Sequence, residues 1–345
     1  MRVGILTAGG DCPGLNAVIR ASSRRLLERG HEPVGILKGY RGLAYGETRP
    51  LDYGASSGIL HLGGTILSTS SYDPFREADG LERIRAAQAE SGLDAVIAVG
   101  GEHTMDITRR LYEELGLPAV GIPKTIDNDV VGTDFTFGFD TAVQVATDAL
   151  DRLHTTAQSH DRIMVVEVMG RNVGWIAMHA GIAGGADGIV IPELTLTVEE
   201  LAENVARRHE RGKNFSIVVV AEGAELAFAS GERRRVQASA ATDEYGYPQL
   251  GGIGTALATE LARATGYEVR VTTLGHVQRG GTPTSTDRIL ATRYGIQAAE
   301  MVIAGETGRM AALHGKEMTS VPLEEVRGIK HVDLRLLDVA RTFFG

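Results

Sequence analysis

A unit made of a short β-branched run, a glycine-rich or polar turn and an amphipathic stretch recurs along this chain, and nothing else in the sequence restricts the fold as strongly. Strands that alternate with helical stretches in this way form parallel sheets, because each crossover lays a helix across one face. Residues 3–6 open the series, followed by Thr7-Ala8-Gly9-Gly10-Asp11-Cys12-Pro13-Gly14 and a helix predicted over 15–28. Further strands are expected at 34–37, at 95–99 running into Gly100-Gly101-Glu102-His103-Thr104, and at 119–122 running into Pro123-Lys124-Thr125-Ile126-Asp127-Asn128-Asp129. The second half repeats the scheme: 163–168 leads into Met169-Gly170-Arg171, 188–191 into Pro192-Glu193, and 215–220 into Ala221-Glu222-Gly223. Helices are expected over 143–155, 173–182, 198–211, 253–265 and 286–304, whereas 227–249 lacks periodicity and reads as an exposed loop.

Polar and glycine residues collect at the carboxyl ends of these strands, where open α/β sheets bind ligands. At 345 residues the chain has room for two such domains with a cleft between them. The 44 glycines form no repeat, so they mark turns rather than a low-complexity tract. A net charge of −9 argues against a nucleic-acid partner, since backbone phosphates call for a basic surface. Small anions stay open, because a few converging arginines set the local field. No apolar run approaches the ~20 residues of a membrane span and no leader stands at Met1, so no membrane association and a cytoplasmic setting are expected. Cys12, the single cysteine, excludes an internal disulfide and any multi-cysteine zinc site.

Three groups of residues carry candidate chemistry. Gly9 and Gly10, between a strand and a helix, let an anion approach backbone amides, although Gly-Gly-Asp after a strand also serves as a plain tight turn. No Gly-Lys-Ser/Thr follows, so this is not a Walker A loop, and the Gly-x-Gly-x-x-Gly spacing of dinucleotide enzymes is missing. Asp127 and Asp129, beside Thr125 and Lys124, offer a base for an alcohol proton and groups for charged oxygens, while Glu102 could hold Mg²⁺. Arg162, Arg171, Arg270 and Arg279, with His276, flank predicted strand ends, and a planar guanidinium fork suits phosphate.

The ordered segments Gly-Gly-Asp-Cys-Pro-Gly-Leu-Asn from Gly9, Pro-Lys-Thr-Ile-Asp-Asn-Asp from Pro123, Phe-Gly-Phe-Asp-Thr-Ala from Phe137, Val-Glu-Val-Met-Gly-Arg from Val166 and Leu-Gly-His-Val-Gln-Arg-Gly-Gly from Leu274 resemble the signature set of the phosphofructokinases. The resemblance runs from Arg2 to about Gly308 and is nearest to the actinobacterial-type branch, which holds both ATP-dependent and pyrophosphate-dependent members. It implies two Rossmann-like three-layer α/β domains with an active-site cleft between them: 1–140 plus about 279–330 for the phosphate donor, 141–278 inserted for the sugar phosphate, and 331–345 as a tail. It implies Mg²⁺-dependent phosphoryl transfer from ATP to the C1 hydroxyl of fructose 6-phosphate. Asp127 is then the base, with Thr125 and Asp129 supporting the phosphoryl group and metal, Glu102 the metal acid, and Arg171 the stabiliser of the equatorial oxygens. Gly10 offers its amide to the donor, beside Gly101, Thr104 and Lys124. The sugar phosphate falls to Arg162, Arg270 and His276, with Arg279 assisting and Ile126, Met169, Gly170 and Glu222 lining the pocket. Arg162 and Arg270 reach a neighbouring active site in the family, which implies a homo-oligomer, dimer or tetramer.

Two positions depart from the family pattern. His103 stands where ATP users generally carry Gly and pyrophosphate users Asp, and Ser71 stands where an arginine usually contacts the donor, with Tyr72 and Arg76 as adenine neighbours. ATP is the expected donor; pyrophosphate, or a specialised or inactive paralogue for another sugar phosphate such as sedoheptulose 7-phosphate, is the alternative.

Overall fold

A computed structural model describes residues 1–242 and 248–344. In chain order the first elements are β1 (Arg2–Thr7), α1 (Leu15–Glu28), β2 (Glu32–Ile36), α2 (Tyr40–Tyr45), β3 (Thr48–Pro50), α3 (Gly80–Ser91), β4 (Ala95–Gly100), α4 (Glu102–Leu115), β5 (Ala119–Pro123) and α5 (Phe139–His160). Then come β6 (Ile163–Val168), α6 (Trp175–Ala183), β7 (Gly188–Val190), α7 (Val198–Glu210), β8 (Ser216–Ala221), β9 (Glu225–Ala227), β10 (Arg233–Arg235), β11 (Gln237–Thr242), β12 (Pro248–Leu250), α8 (Ile253–Thr265) and β13 (Val269–Thr273). The chain closes with α9 (Ser285–Ala304), β14 (Arg309–His314), β15 (Glu317–Pro322) and α10 (Arg335–Arg341).

Two compact units result. The first comprises Met1–Thr141 and Arg279–Ile329, the second Ala142–Gln278 and Lys330–Gly345. The first is built on a seven-stranded sheet in the order β15-β14-β5-β4-β1-β2-β3. Its five middle strands are parallel, and antiparallel β15 and β3 close the two edges. β4 is buried along its whole length, as a strand covered on both faces must be, which explains why Ala95-Val96-Ile97-Ala98-Val99 reads as a continuous apolar run. On α1 the residues Leu15, Val18, Ile19 and Leu26 are buried, one helical face turned to the core. The helix also lies against α9, where Ser22 Oγ donates to the carbonyl of Gly295 at 3.1 Å.

The chain order places β1 between β4 and β2, so connections leave β1 and β4 in opposite directions. That divergence opens a crevice at their carboxyl ends. The turns that follow, Ala8–Gly14 after β1 and Gly101–Glu102 after β4, stand at its rim.

The second unit holds a parallel four-stranded sheet, β13-β6-β8-β7. Its core joins Val165, Val218 and Val220 of the sheet to Leu201 and Val205 of α7 and Leu257 and Leu261 of α8. α7 begins with a full capping box, Thr197 Oγ1 accepting from Glu200 N while the Glu200 carboxylate accepts from Thr197 N. The stretch expected as a loop over 227–249 is partly strand: β9 pairs antiparallel with β10, and β11 with β12. Leu226, Ala227 and Phe228 explain the first hairpin, since all three are buried and draw this end of the segment into the core despite its polar sequence. Residues 243–247 of the expected loop lie outside the described residues. Residues 331–345, read from sequence as a tail, cluster with the second unit. Val332 N donates to Glu193 Oε1 at 3.1 Å and Trp175 Nε1 to the Lys330 carbonyl at 2.9 Å.

Candidate active site

In the first unit the turn after β1 is held from several sides. Gly9 donates its N–H to Ser70 O at 3.1 Å and accepts from Thr69 Oγ1 at 2.5 Å. Lys124, only 3% exposed, reaches beneath the turn and donates its ammonium to Ala8 O at 3.1 Å and to Gly10 O. Burial pushes the Lys124 amine below its ordinary value, and Arg279 adds to the effect. Arg279 caps the other side, its Nη1 donating to Asp11 O at 3.2 Å. A Cβ on Gly10 would lie 2.6 Å from that Nη1, so only glycine lets the guanidinium stand directly against the turn. Two cations thus converge on one stretch of backbone, an arrangement that favours an anion.

The loop after β5 carries the acids. Thr125 Oγ1 accepts from Asp127 N at 3.0 Å, and Thr136 Oγ1 donates to Thr125 O at 2.8 Å. Between the two aspartates Asn128 adopts φ 51, a left-handed conformation that asparagine tolerates better than most residues. Its side chain is fully buried, Oδ1 accepting from Thr136 N at 3.0 Å. Asn128 thereby fixes the loop that displays Asp127 and Asp129. Ile126 is buried in the same loop.

Glu102 begins α4, next to Gly101 at the N-cap. Burial first, then neighbouring Asp106, pushes its carboxyl above the usual carboxylate range, while His103 pulls it down. His103 Nε2 stands 3.6 Å from Asp73 Oδ2, a carboxylate that also caps the short 3₁₀ turn Pro74–Arg76. Thr104 is buried, its carbonyl accepting from Tyr40 OH at 2.9 Å. Ser71 is half-buried, and Tyr72 OH donates to Glu77 Oε2 at 2.9 Å.

In the second unit three turns at the carboxyl ends of the sheet meet. Glu222 N donates to Val168 O at 2.9 Å and Gly223 N to Gly170 O at 3.0 Å, which joins the Met169-Gly170-Arg171 turn to the one after β8. Gln278, fully buried, accepts from Met169 N at 3.4 Å and donates to Gly275 O at 3.1 Å, which brings in the turn that bears His276. Arg162 and Arg270 are placed elsewhere. Arg162 immediately precedes β6, and Arg270 pairs with Met164 near the opposite end of that strand from Met169. Six residues of strand separate the ends by roughly 20 Å. Both guanidiniums share Glu268: Arg162 Nε at 2.9 Å, and Arg270 through Nη2.

A phosphofructokinase family model matches residues 2–302. The chain belongs to the phosphofructokinase family. Over the full length of both chains it is 51% identical to the pyrophosphate–fructose 6-phosphate 1-phosphotransferase of Amycolatopsis methanolica and 50% identical to the ATP-dependent 6-phosphofructokinase 2 of Streptomyces coelicolor. Among solved structures, the phosphofructokinase of Saccharomyces cerevisiae superposes with a TM-score of 0.80 at 32% identity over 94% of this chain, which spans 45% of the yeast one. The pyrophosphate-dependent phosphofructokinase of Marinobacter aquaeolei superposes with a TM-score of 0.80 at 22% identity, over 97% of this chain and 86% of that one, a likeness of fold.

In this family member the residues that support the site are poorly marked in the sequence. Asn128 lies within Pro-Lys-Thr-Ile-Asp-Asn-Asp, and an asparagine between two acids in a loop is the one mark of its supporting part that the sequence carries. The contacts of Asp73 with His103 and of Gln278 with Met169 span 30 and 109 residues, and the sequence carries no local mark of either.

Proposed function

We propose that this chain is a 6-phosphofructokinase that transfers the terminal phosphoryl group of ATP to the C1 hydroxyl of fructose 6-phosphate, giving fructose 1,6-bisphosphate. The observation that carries the reading is the acid loop, Thr125 and Asn128 fixing Asp127 and Asp129 beside a glycine turn flanked by Lys124 and Arg279. Asp127 takes the proton of the attacking hydroxyl, so that the oxygen becomes a nucleophile as the bridging oxygen of the donor departs. Asp129 and Thr125 support the transferring group, and Gly10 with Gly101 and Thr104 borders the donor phosphates. Arg171 neutralises charge on the phosphoryl oxygens, a role in which electrostatic preorganisation does most of the work. Met169, Gly170, Glu222, His276 and Arg279 orient the sugar phosphate.

Glu102 fits Mg²⁺. The ion takes one or two carboxylates plus phosphate oxygens and water, and a carboxylate raised by burial and by a neighbouring acid gains from a nearby cation. Among the described residues there is no cluster of three acidic, histidine or cysteine ligands. When bound, Mg²⁺ offsets the charge of the donor phosphates.

Arg162 and Arg270 serve the sugar 6-phosphate of a neighbouring copy in a dimer or tetramer. Their place at the amino ends of the strands, away from Met169 and His276, supports that reading. Among the described residues no helix is long and apolar enough to cross a membrane.

Pyrophosphate as donor is favoured by one specific feature: an imidazole ring, His103, stands 3.6 Å from Asp73 at the first turn of α4, where ATP users of the family generally carry Gly, and the smaller donor asks for less room there. Initial rates from fructose 6-phosphate and Mg²⁺ with ATP and with pyrophosphate in parallel decide. A rate with ATP alone supports the proposal and a rate with pyrophosphate alone replaces the donor. No rate with either overturns the reading and points to a specialised or non-catalytic paralogue.

A further inference from the structure

The two phosphate-side loops of the first unit, 8–14 and 124–129, are not joined to each other by Lys124 alone. Behind both runs the segment 136–141. Thr136 N donates to Asn128 Oδ1 at 3.0 Å and Thr136 Oγ1 to Thr125 O at 2.8 Å, which ties the segment to the acid loop. Phe137 faces Lys124 in a single parallel bridge, and its carbonyl accepts the Cys12 thiol at 3.7 Å. Gly138, at φ 97, packs so close to the glycine turn that a Cβ would meet Cys12 Sγ at 2.5 Å. At the far end of the segment Asp287 accepts three hydrogen bonds, and Thr284 Oγ1 donates to Asp140 Oδ2 at 2.5 Å. Asp287 Oδ1 accepts from Gly138 N at 2.8 Å, and Oδ2 accepts from Thr141 N at 2.8 Å and Thr141 Oγ1 at 2.5 Å. Thr284 N in turn donates to Thr141 Oγ1 at 3.1 Å.

Asp287 has no solvent exposure, and burial pushes its carboxyl up to about 6. A carboxylate in such a place is costly unless its oxygens are occupied, and here two amides and a hydroxyl occupy them. An asparagine cannot replace it, since its single carbonyl oxygen serves one side and its NH₂ faces a donor on the other.

We propose that Asp287 is a positioning residue for phosphoryl transfer: through residues 136–141 it holds the glycine turn and the acid loop in one register. The inference rests on the phosphotransferase reading for its kinetic part alone. Transfer between a donor on one loop and a base on the other depends on their spacing, and misplacement by about 1 Å costs on the order of a hundredfold in rate.

The test compares Asp287→Asn, Thr141→Val and Thr141→Ser with the unmodified chain, by steady-state rates and by amide hydrogen exchange of peptides covering 8–14, 124–130 and, in the second unit, 163–168. In Asp287→Asn kcat over the donor KM should fall on the order of thirtyfold or more, with the fructose 6-phosphate KM within about twofold. Exchange should quicken in both loop peptides and stay unchanged at 163–168. Thr141→Ser, which keeps the hydroxyl, should match the parent, and Thr141→Val should fall between. Unchanged donor kinetics, unchanged loop exchange, or a loss spread evenly over both substrates and all three peptides overturns the proposal, the last because it marks a purely structural role. Should Asp287→Asn fail to fold, the Val/Ser pair decides by the same measures, and identical behaviour of the two overturns it. If the parent uses neither ATP nor pyrophosphate, the functional reading falls and the exchange experiment still decides this one.

Discussion

Lys124→Met tests what the buried lysine does. The substitution keeps an unbranched side chain of similar length and removes the donor that Ala8 O and Gly10 O share. A carbonyl stripped of its partner in a buried place costs about 1–3 kcal/mol, so two of them, less some gain from burying a thioether, predict about 2–4 kcal/mol of lost stability. Equilibrium denaturation should show a lower midpoint with an unaltered slope. The pH dependence carries a sign. Burial lowers the Lys124 amine below 10.5, so between its folded value and 10.5 the unfolded chain binds more protons and stability rises with pH. The variant lacks this contribution, and the gap between parent and variant should widen as pH rises toward 10.5. Because Gly10 shifts with its carbonyl, kcat/KM for the donor should fall on the order of a hundredfold. A loss under about 0.5 kcal/mol, a gap that narrows with rising pH, or normal donor kinetics in a destabilised variant would refute the reasoning.

Three further outcomes are expected. On the role proposed for Arg162 and Arg270, Glu268 would compete with the sugar phosphate for both, and the Arg162 hydrogen bond first holds its carboxyl below the usual range. Glu268→Gln should therefore lower the fructose 6-phosphate KM by about threefold or more, and a higher KM would show that Glu268 instead aims the arginines. Asp73→Asn keeps the cap on Phe75 N but removes the charge near His103, and should raise the donor KM by about threefold with the sugar KM unmoved; equal donor KM values would disconnect His103 from the donor. Asp287, raised from 3.8 to about 6 by burial, contributes stability in full below 3.8 and loses it as pH climbs through about 6. The stability of the parent relative to Asp287→Asn should fall across that window by about 3 kcal/mol, and a flat or rising difference in urea titrations would contradict the assignment.

The parallel α/β scheme was legible because strands buried on both faces spell it out in apolar runs, and α1, expected from Leu15 to about Glu28 on its apolar spacing, runs Leu15–Glu28. β14 and β15 escaped notice, since Arg309-Met310-Ala311-Ala312-Leu313-His314 has weak β propensity and owes its extended form to pairing with β5 and β15. α4 was hidden for another reason: its polar outer face, Arg109, Arg110, Glu113 and Glu114, masks the buried Met105, Ile107 and Leu111. The site followed the same division. Many of the residues proposed to meet a ligand sit in motifs of consecutive residues, whereas Asp287 lies 149 residues from Gly138, and a single chain carries no local mark of such a partner.

The first unit is completed by residues from both sides of the second. β5 gains its outer neighbour only when β14 is made, and those strands are about 190 residues apart, which at roughly 5–20 residues per second leaves an unpaired sheet edge on the ribosome for about 10–40 s. The sheet of the second unit is finished within that interval, because β13 ends at Thr273. For the two sheets synthesis therefore runs against the order in the chain: the sheet that begins first closes last, and a nascent chain stalled near residue 300 would present β5 to any strand that met it.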